Sequence, residues 1–387
     1  MPYLIKASEI YCENEVLMNG CLAINNNLIE DIGTHLDEEG TEIIDLTGYK
    51  IIPGLIDLHI HGANGYDTMD SNYEAVNEIS KYLAKNGVTR FLPTTVTADW
   101  AKIINAVRNI REIMKRNVEG AAIIGSYIEG PFITEKKKGA HPAQFIRRLD
   151  VKDIDELLHE ADGSIKVITI APEKEDAPEL IKTLTAKGIK VSLGHTNATF
   201  HETKLAIENG ASIAVHVYNG MRGLHHREPG VLGAVLGIDD IYAELIADLI
   251  HVHPESIKIL VKCKGTDKIC LISDCMMAGG LSDGEYKLGE LEVAVKDGIP
   301  RLSNGSLAGS TLKIINAVKN MIEKVGVSPL EAVHMASLVP AKILGIDDEY
   351  GSIKINKKAD LTIIDNDFNV IMTIVNGKIV YRKKSQR

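Results

Sequence analysis

The chain has 387 residues, 45% apolar and 25% charged, a globular composition with enough length to bury a full core. Its net charge of −10 and pI near 5.7 argue against a nucleic acid or an anionic membrane surface as main partner, since both need a basic face. One small anion stays compatible, because a few local cations can hold a single phosphate.

No apolar run approaches the roughly 20 residues that span a bilayer. The opening Pro2-Tyr3-Leu4-Ile5-Lys6 lacks the pattern of a secretory leader. The five cysteines form no Cys-x-x-Cys pair, so a reduced, cytoplasmic protein is expected. Residues 1–50 read as short strands, with polar corners at Asn19-Gly20 and Asn25-Asn26-Asn27. The β-branched runs 359–365, 370–375 and 378–381 repeat that character at the other end, the last two separated by Asn376-Gly377. Together they predict a small β-sandwich domain built from both termini, residues 1–50 and 351–387.

The middle of the chain alternates. Apolar, strand-like runs fall at 55–61, 89–95, 121–128, 165–170, 189–194, 212–217, 242–247 and 268–273. Segments of helical period lie between most of them, at 73–86, 99–117, 177–187, 199–209 and 254–264. Such a pattern belongs to a parallel sheet covered on both faces. Eight strands predict a closed (β/α)8 TIM-like barrel over residues 51–350 rather than an open sheet. The insertion 279–304 reads as a hairpin, alternating over 288–295 and turning at Lys296-Asp297-Gly298. Ser310-Thr311-Leu312 is expected to cap a closing helix that runs to about Lys324.

In such a barrel, functional side chains project from the C-terminal strand ends. Strand one ends in Asp57-Leu58-His59-Ile60-His61, and residues two apart share a face, so both imidazoles can converge on the barrel mouth. Strand three ends in Glu129, strand five in His195, strand six in His216 and strand eight in Asp274. Imidazole nitrogens and carboxylate oxygens without thiolate are the donors that Zn, Fe, Co or Mn accept. A bound ion lowers the pKa of its water toward ~7, and Asp274 can take and return that water's proton. A lone histidine at a strand end is more often structural; the joint pattern is what points to a metal-dependent hydrolase.

The run Pro53-Gly54-Leu55-Ile56-Asp57-Leu58-His59-Ile60-His61-Gly62 resembles the amidohydrolase superfamily. Glu129-Gly130-Pro131-Phe132, Lys138-Gly139-Ala140-His141, Gly194-His195-Thr196, Tyr218-Asn219, Arg227-Glu228-Pro229-Gly230, Ser273-Asp274 and Leu307-Ala308-Gly309-Ser310 narrow it. In that order they resemble the N-acetylglucosamine-6-phosphate deacetylase family over nearly the whole chain. The resemblance implies Glu129, His195 and His216 as principal metal ligands. A second ion would bind at His59 and His61 with Glu129 bridging, or those two would stand behind a single ion. It also implies Asp274 as the acid/base, and a phosphosugar pocket of Ala140, His141, Asn219, Gly220, Arg227, Asp248, Leu249, Ile250, His251, Leu307, Ala308 and Gly309. Arg227 would reach the neighbouring subunit's site, making the protein a homodimer.

Chemistry supports several of these roles. His141 can polarise an acetamide carbonyl as the oxyanion develops, and Arg227 and His251 suit a phosphate. Asn219 offers an amide and Gly220 an unobstructed N–H. Leu307-Ala308-Gly309, placed before a helix start, would present free N–H groups. Gly220 departs from the alanine usual there and Leu249 from a glycine, the latter placing a side chain on the pocket side. These changes touch sugar preference more than reaction type. The alternatives are deacetylation of the galactosamine epimer, another amidohydrolase reaction, or a non-catalytic scaffold.

Overall fold

The barrel strands form in the predicted order, and their bounds follow the burial of the sequence. In the computed structural model, which describes residues 2–36 and 40–384, they are Leu55–Ile60, Val88–Thr95, Ser126–Ile128, Ile165–Ile170, Lys190–Leu193, Ala211–Ala214, Tyr242–Leu245 and Ile269–Leu271. Neighbours pair in parallel along that order. Strands one and two are buried at every position, as a sheet covered on both faces requires. The cylinder closes where Asp274 N–H donates to His59 O at 2.9 Å and His61 N–H to Cys275 O at 2.9 Å. The run 121–128 is two strands rather than one. Ala122–Ile123 pairs only with strand two, and Ser126–Ile128 continues the barrel.

Helix starts carry local caps. Asn72, Asp99, Asp150 and Thr199 each accept a backbone N–H in the first turn of Tyr73–Lys85, Trp100–Met114, Val151–Ala161 and Phe200–Glu208. Thr199 and Glu202 form a reciprocal capping box. The closing helix departs from expectation. It starts at Ile314, its N-cap is Lys313, and it widens into a π-turn at Met321–Val325. Ser310 cannot cap it, because its hydroxyl donates to Ser273 O at 2.6 Å and accepts from Leu312 N–H.

Both termini build one seven-stranded sheet, in the order Lys378–Arg382, Val370–Val375, Leu361–Ile364, Glu42–Pro53, Tyr3–Tyr11, Val16–Asn25, Leu28–Gly33. It encloses its own apolar core, including Ile5, Leu22, Ile51, Leu361 and Ile374. Asn376-Gly377 is the expected tight turn, with φ positive at both residues. Asn19-Gly20 is not a turn: Gly20 pairs with Ala7 inside the strand Val16–Asn25. A Cβ on Gly20 would lie 2.7 Å from Ile10 Cδ1, so the glycine there answers packing. The chain reverses instead at Asn26-Asn27, between Val16–Asn25 and Leu28–Gly33.

The insertion is a three-stranded sheet, Gly284–Leu288, Leu291–Lys296 and Ile299–Arg301, where one hairpin was expected. The alternating run breaks at Gly289-Glu290, whose groups are used elsewhere. Gly289 N–H donates to Asp67, and Glu290 pairs with Lys102 at 2.5 Å. Leu288, Val293 and Val295 pack on Val96, Ala140, Met276 and Ala308, so the sheet covers one side of the barrel mouth. Among the described residues no helix is long and apolar enough to cross a membrane.

Candidate active site

At the mouth, five imidazoles surround one carboxylate. Glu129 follows strand three directly and is 2% exposed. His195 and His216 each place Nε2 3.1 Å from its Oε1, and those two nitrogens lie 3.0 Å apart. On the other oxygen, His61 Nε2 lies at 3.1 Å, His59 Nε2 at 3.5 Å and His141 Nε2 at 3.6 Å. Asp274 Oδ1 is 3.3 Å from His61 Nε2 and 3.7 Å from His59 Nε2. Alternation along strand one thus aims both histidines at one point, as the His-x-His spacing predicts.

The second ring nitrogen of each histidine fixes what the first can do. A carbonyl oxygen only accepts, so the Nδ1 atoms bonded to Lys137 O (His195), Asn219 O (His216) and Thr94 O (His61) carry the proton. Whenever those rings are neutral, their Nε2 atoms present lone pairs to the centre, as metal-binding imidazoles do. His141 is the reverse. The Thr97 backbone N–H can only donate, and it points at His141 Nδ1 at 3.3 Å. His141 therefore carries its proton on Nε2 and is a hydrogen-bond donor to the cavity, although its distance from Glu129 and His195 would suit a ligand.

The donor set fits a divalent ion. Edges of 3.0 and 3.1 Å compare with roughly 3.3 Å in a tetrahedron of ~2.0–2.1 Å bonds. Burial would raise the pKa of Glu129, but His59, His195 and His216 outweigh it and hold the carboxyl well below its usual range. Asp274 is lowered too: burial opposes the shift, and the His61 hydrogen bond and neighbouring imidazole charge prevail. Both acids are therefore ionised at neutral pH. His195, His216 and Asp274 all sit at positive φ, of 45°, 28° and 49°, backbone strain of the kind functional residues often carry.

The cluster opens into a cavity of about 310 Å³. Of the predicted pocket residues, Ala140, His141, Asn219, Gly220, His251, Leu307 and Gly309 line it. Gly220 has φ +58°, and a Cβ there would lie 3.0 Å from His195 Nδ1, so the glycine lets the turn pass close to that ring. Asp248 stands behind His251, accepting from its Nδ1 at 2.6 Å. Ala308 is buried against Met276 rather than open to the cavity. The segment 307–310 does not start a helix: Ala308 N–H goes to Pro300 O and Ser310 N–H to Asp274 O, so neither is free for a ligand. Leu249 packs against the barrel core instead of the pocket, at φ +66°, and Ile250 points outward at 46% exposure. Arg227 lies outside the cavity on an exposed loop, donating to His226 Nε2 at 2.8 Å.

Sequence reasoning missed the supports. Thr94, Thr97 and Lys137 orient histidines through backbone groups, which leave no residue-type signal. Glu244 did leave one, as a single charge inside the apolar run 242–247; its carboxylate lies 3.3 Å from His59 Nδ1. Val96, Leu288 and Ser306 complete the wall and reach it only through the fold.

The amidohydrolase family model matches residues 51–380. The chain is 42% identical to the N-acetylglucosamine-6-phosphate deacetylase of Vibrio furnissii, over 92% of this chain and 89% of that protein. It is 39% identical to an N-acetylgalactosamine-6-phosphate deacetylase of Escherichia coli O157:H7, over 98% and 99% respectively. Its fold matches the crystal structure of N-acetylglucosamine-6-phosphate deacetylase from Pasteurella multocida with a TM-score of 0.94 and 34% identity, covering 99% of this chain and 100% of that one. Barrel, donor set and sequence agree, and the chain belongs to the amidohydrolase family, within its group of N-acetylglucosamine-6-phosphate deacetylases.

Proposed function

We propose that this chain removes the N-acetyl group from N-acetylglucosamine 6-phosphate, giving glucosamine 6-phosphate and acetate in amino-sugar breakdown or recycling. The observation that carries the reading is the convergence of the His195 and His216 lone pairs on Glu129, beside an ionised Asp274. Glu129, His195 and His216 would hold one divalent ion (Zn, Fe, Co or Mn), and His59 and His61 would hold a second. When bound, such an ion supplies Lewis acidity to a water and to the acetamide carbonyl.

The remaining steps belong to the chain's own residues. Asp274 accepts the proton of the attacking water and returns it to the amine nitrogen as the C–N bond breaks. His141, protonated on Nε2, donates to the carbonyl oxygen as negative charge develops on it. His251, its Nδ1 held by Asp248, offers Nε2 to the sugar phosphate or a hydroxyl, and the Asn219 amide and Gly220 backbone flank it. Arg227, exposed outside the cavity of its own chain, would grip the phosphate from a neighbouring copy, and the working unit would then be a homodimer. The five cysteines form no disulfide, which accords with a cytoplasmic setting.

A second reading is deacetylation of the galactosamine epimer, favoured by the nearly full-length match to a relative of that name. Incubation of the protein and added Co²⁺ with each epimer, followed by acetate release, tests both. Faster turnover of the glucosamine form is expected. A faster galactosamine form selects the second reading, and no acetate from either removes the deacetylase reading.

A further inference from the structure

One buried carboxylate takes no part in the chemical steps above. Glu244 is the third residue of strand seven and is fully buried. Its Oε2 lies 3.3 Å from His59 Nδ1 and accepts from the Tyr127 hydroxyl at 3.5 Å. Its Oε1 meets no hydrogen-bond partner among the described residues. Across the same imidazole, His59 Nε2 is also buried without a hydrogen bond, yet it faces Glu129 Oε2 and Asp274 Oδ1.

The ring's two sides explain each other. With the Glu244 oxygen accepting from Nδ1, the neutral His59 ring carries its proton toward Glu244 and turns its Nε2 lone pair to two further acids. Two buried acids facing one imidazole nitrogen call for positive charge at that point, from a proton or from an ion. The ring is also held in place. Tyr127 packs on His59 with centroids 4.7 Å apart, and its hydroxyl is tied to Ser192 at 2.7 Å, which meets Thr169 at 2.8 Å.

We infer that Glu244 is the positioning residue for His59, fixing its tautomer and orientation so that Nε2 ligates an ion shared with His61 beside Asp274. This rests on the metal-dependent reading above. A carboxylate behind an imidazole ligand raises its basicity and sets its angle, and losing such a partner costs 10–100-fold in metal affinity.

Titration of the metal-free chain with Co²⁺ separates the two claims, with ions per chain counted by elemental analysis and ligand-field absorption followed. The wild type is expected to take two ions. Glu244→Gln, which keeps the size and an acceptor for the Nδ1 proton, should weaken the second by about tenfold. Glu244→Met, which keeps the size alone, should weaken it by about 100-fold, with the first ion unchanged. His59→Ala should reproduce the Glu244→Met pattern. Unchanged affinity for the second ion in Glu244→Met overturns the inference. So does a wild type that holds one ion, or a loss of both ions together in Glu244→Gln and Glu244→Met; all three leave the metal-dependent reading standing. A wild type that binds no Co²⁺ overturns that reading and this inference with it.

Discussion

Asp360 and Glu129 are almost equally buried, at 6% and 2% exposure, yet they are neutralised in opposite ways. Asp360 meets the guanidinium of Arg90 at 2.7 Å, near the start of strand two, and that cation also reaches Asn376 and stacks over Tyr350 at 3.7 Å. Glu129, at the other end of the barrel, meets imidazoles alone. The first pair finds its countercharge inside the chain. The second meets rings that can hold protons when no ion is present and give them up to an outside cation. A buried acid is therefore no mark of a reaction site by itself; the kind of partner it meets is.

The largest effect that can break this comparison belongs to Asp274. Asp274→Asn keeps the size and one acceptor but cannot take a proton, so turnover should fall by about 10²–10⁴-fold. Elemental analysis should still find the ion held by Glu129, His195 and His216. A near-normal rate would remove Asp274 from the chemistry.

Arg90→Ala makes the converse case. It leaves Asp360 buried without its cation, at a cost of about 3–5 kcal/mol in stability. Denaturant midpoints should show that loss, whereas turnover per folded chain should hardly change. A variant of normal stability and low activity would invert the assignment of the two sites.

Much of this contrast is legible in the sequence, and its limits are physical. Period two along strand one puts His59 and His61 on one face, and strand ends put Glu129, His195, His216 and Asp274 round one mouth. Those inferences need only backbone geometry. The role of His141 needs the direction of one Thr97 N–H, which no residue type encodes. Asn19-Gly20 looks like a turn because the pair favours one, yet packing against Ile10 draws it into a strand. Leu249 resembles a pocket side chain only while its backbone is unknown; at φ +66° it lies half-buried against the core.

A smaller effect follows from pH. Burial opposes charge on His61, but Asp274 and Glu129 prevail and raise its pKa to about 9 in the metal-free chain. A raised folded-state pKa stabilises below the ordinary imidazole value of ~6.5, and that contribution disappears as pH climbs through 9. The metal-free melting temperature should fall over that interval. Metal needs the neutral ring, so the rise in melting temperature on adding Zn²⁺ should grow over the same range. A metal-induced rise independent of pH would mean that His61 does not change protonation when the ion binds.

Arg227 offers the gentlest test, as a third fate of charge. Arg90 is buried and paired with a carboxylate; Arg227 is exposed, with an imidazole nitrogen as its hydrogen-bond partner, on a loop outside its own cavity. Solvent screens such a cation, so Arg227→Ala should hardly alter folding. Its worth should appear only against an anion delivered by a second copy. A charge-assisted contact of about 1.5–3 kcal/mol predicts a rise of roughly 10–100-fold in KM for the 6-phosphate sugar and little change for the unphosphorylated one. The difference should also shrink on dilution to the monomer. Equal effects on both sugars would strip Arg227 of its phosphate role and leave one cavity per chain to do all the recognition.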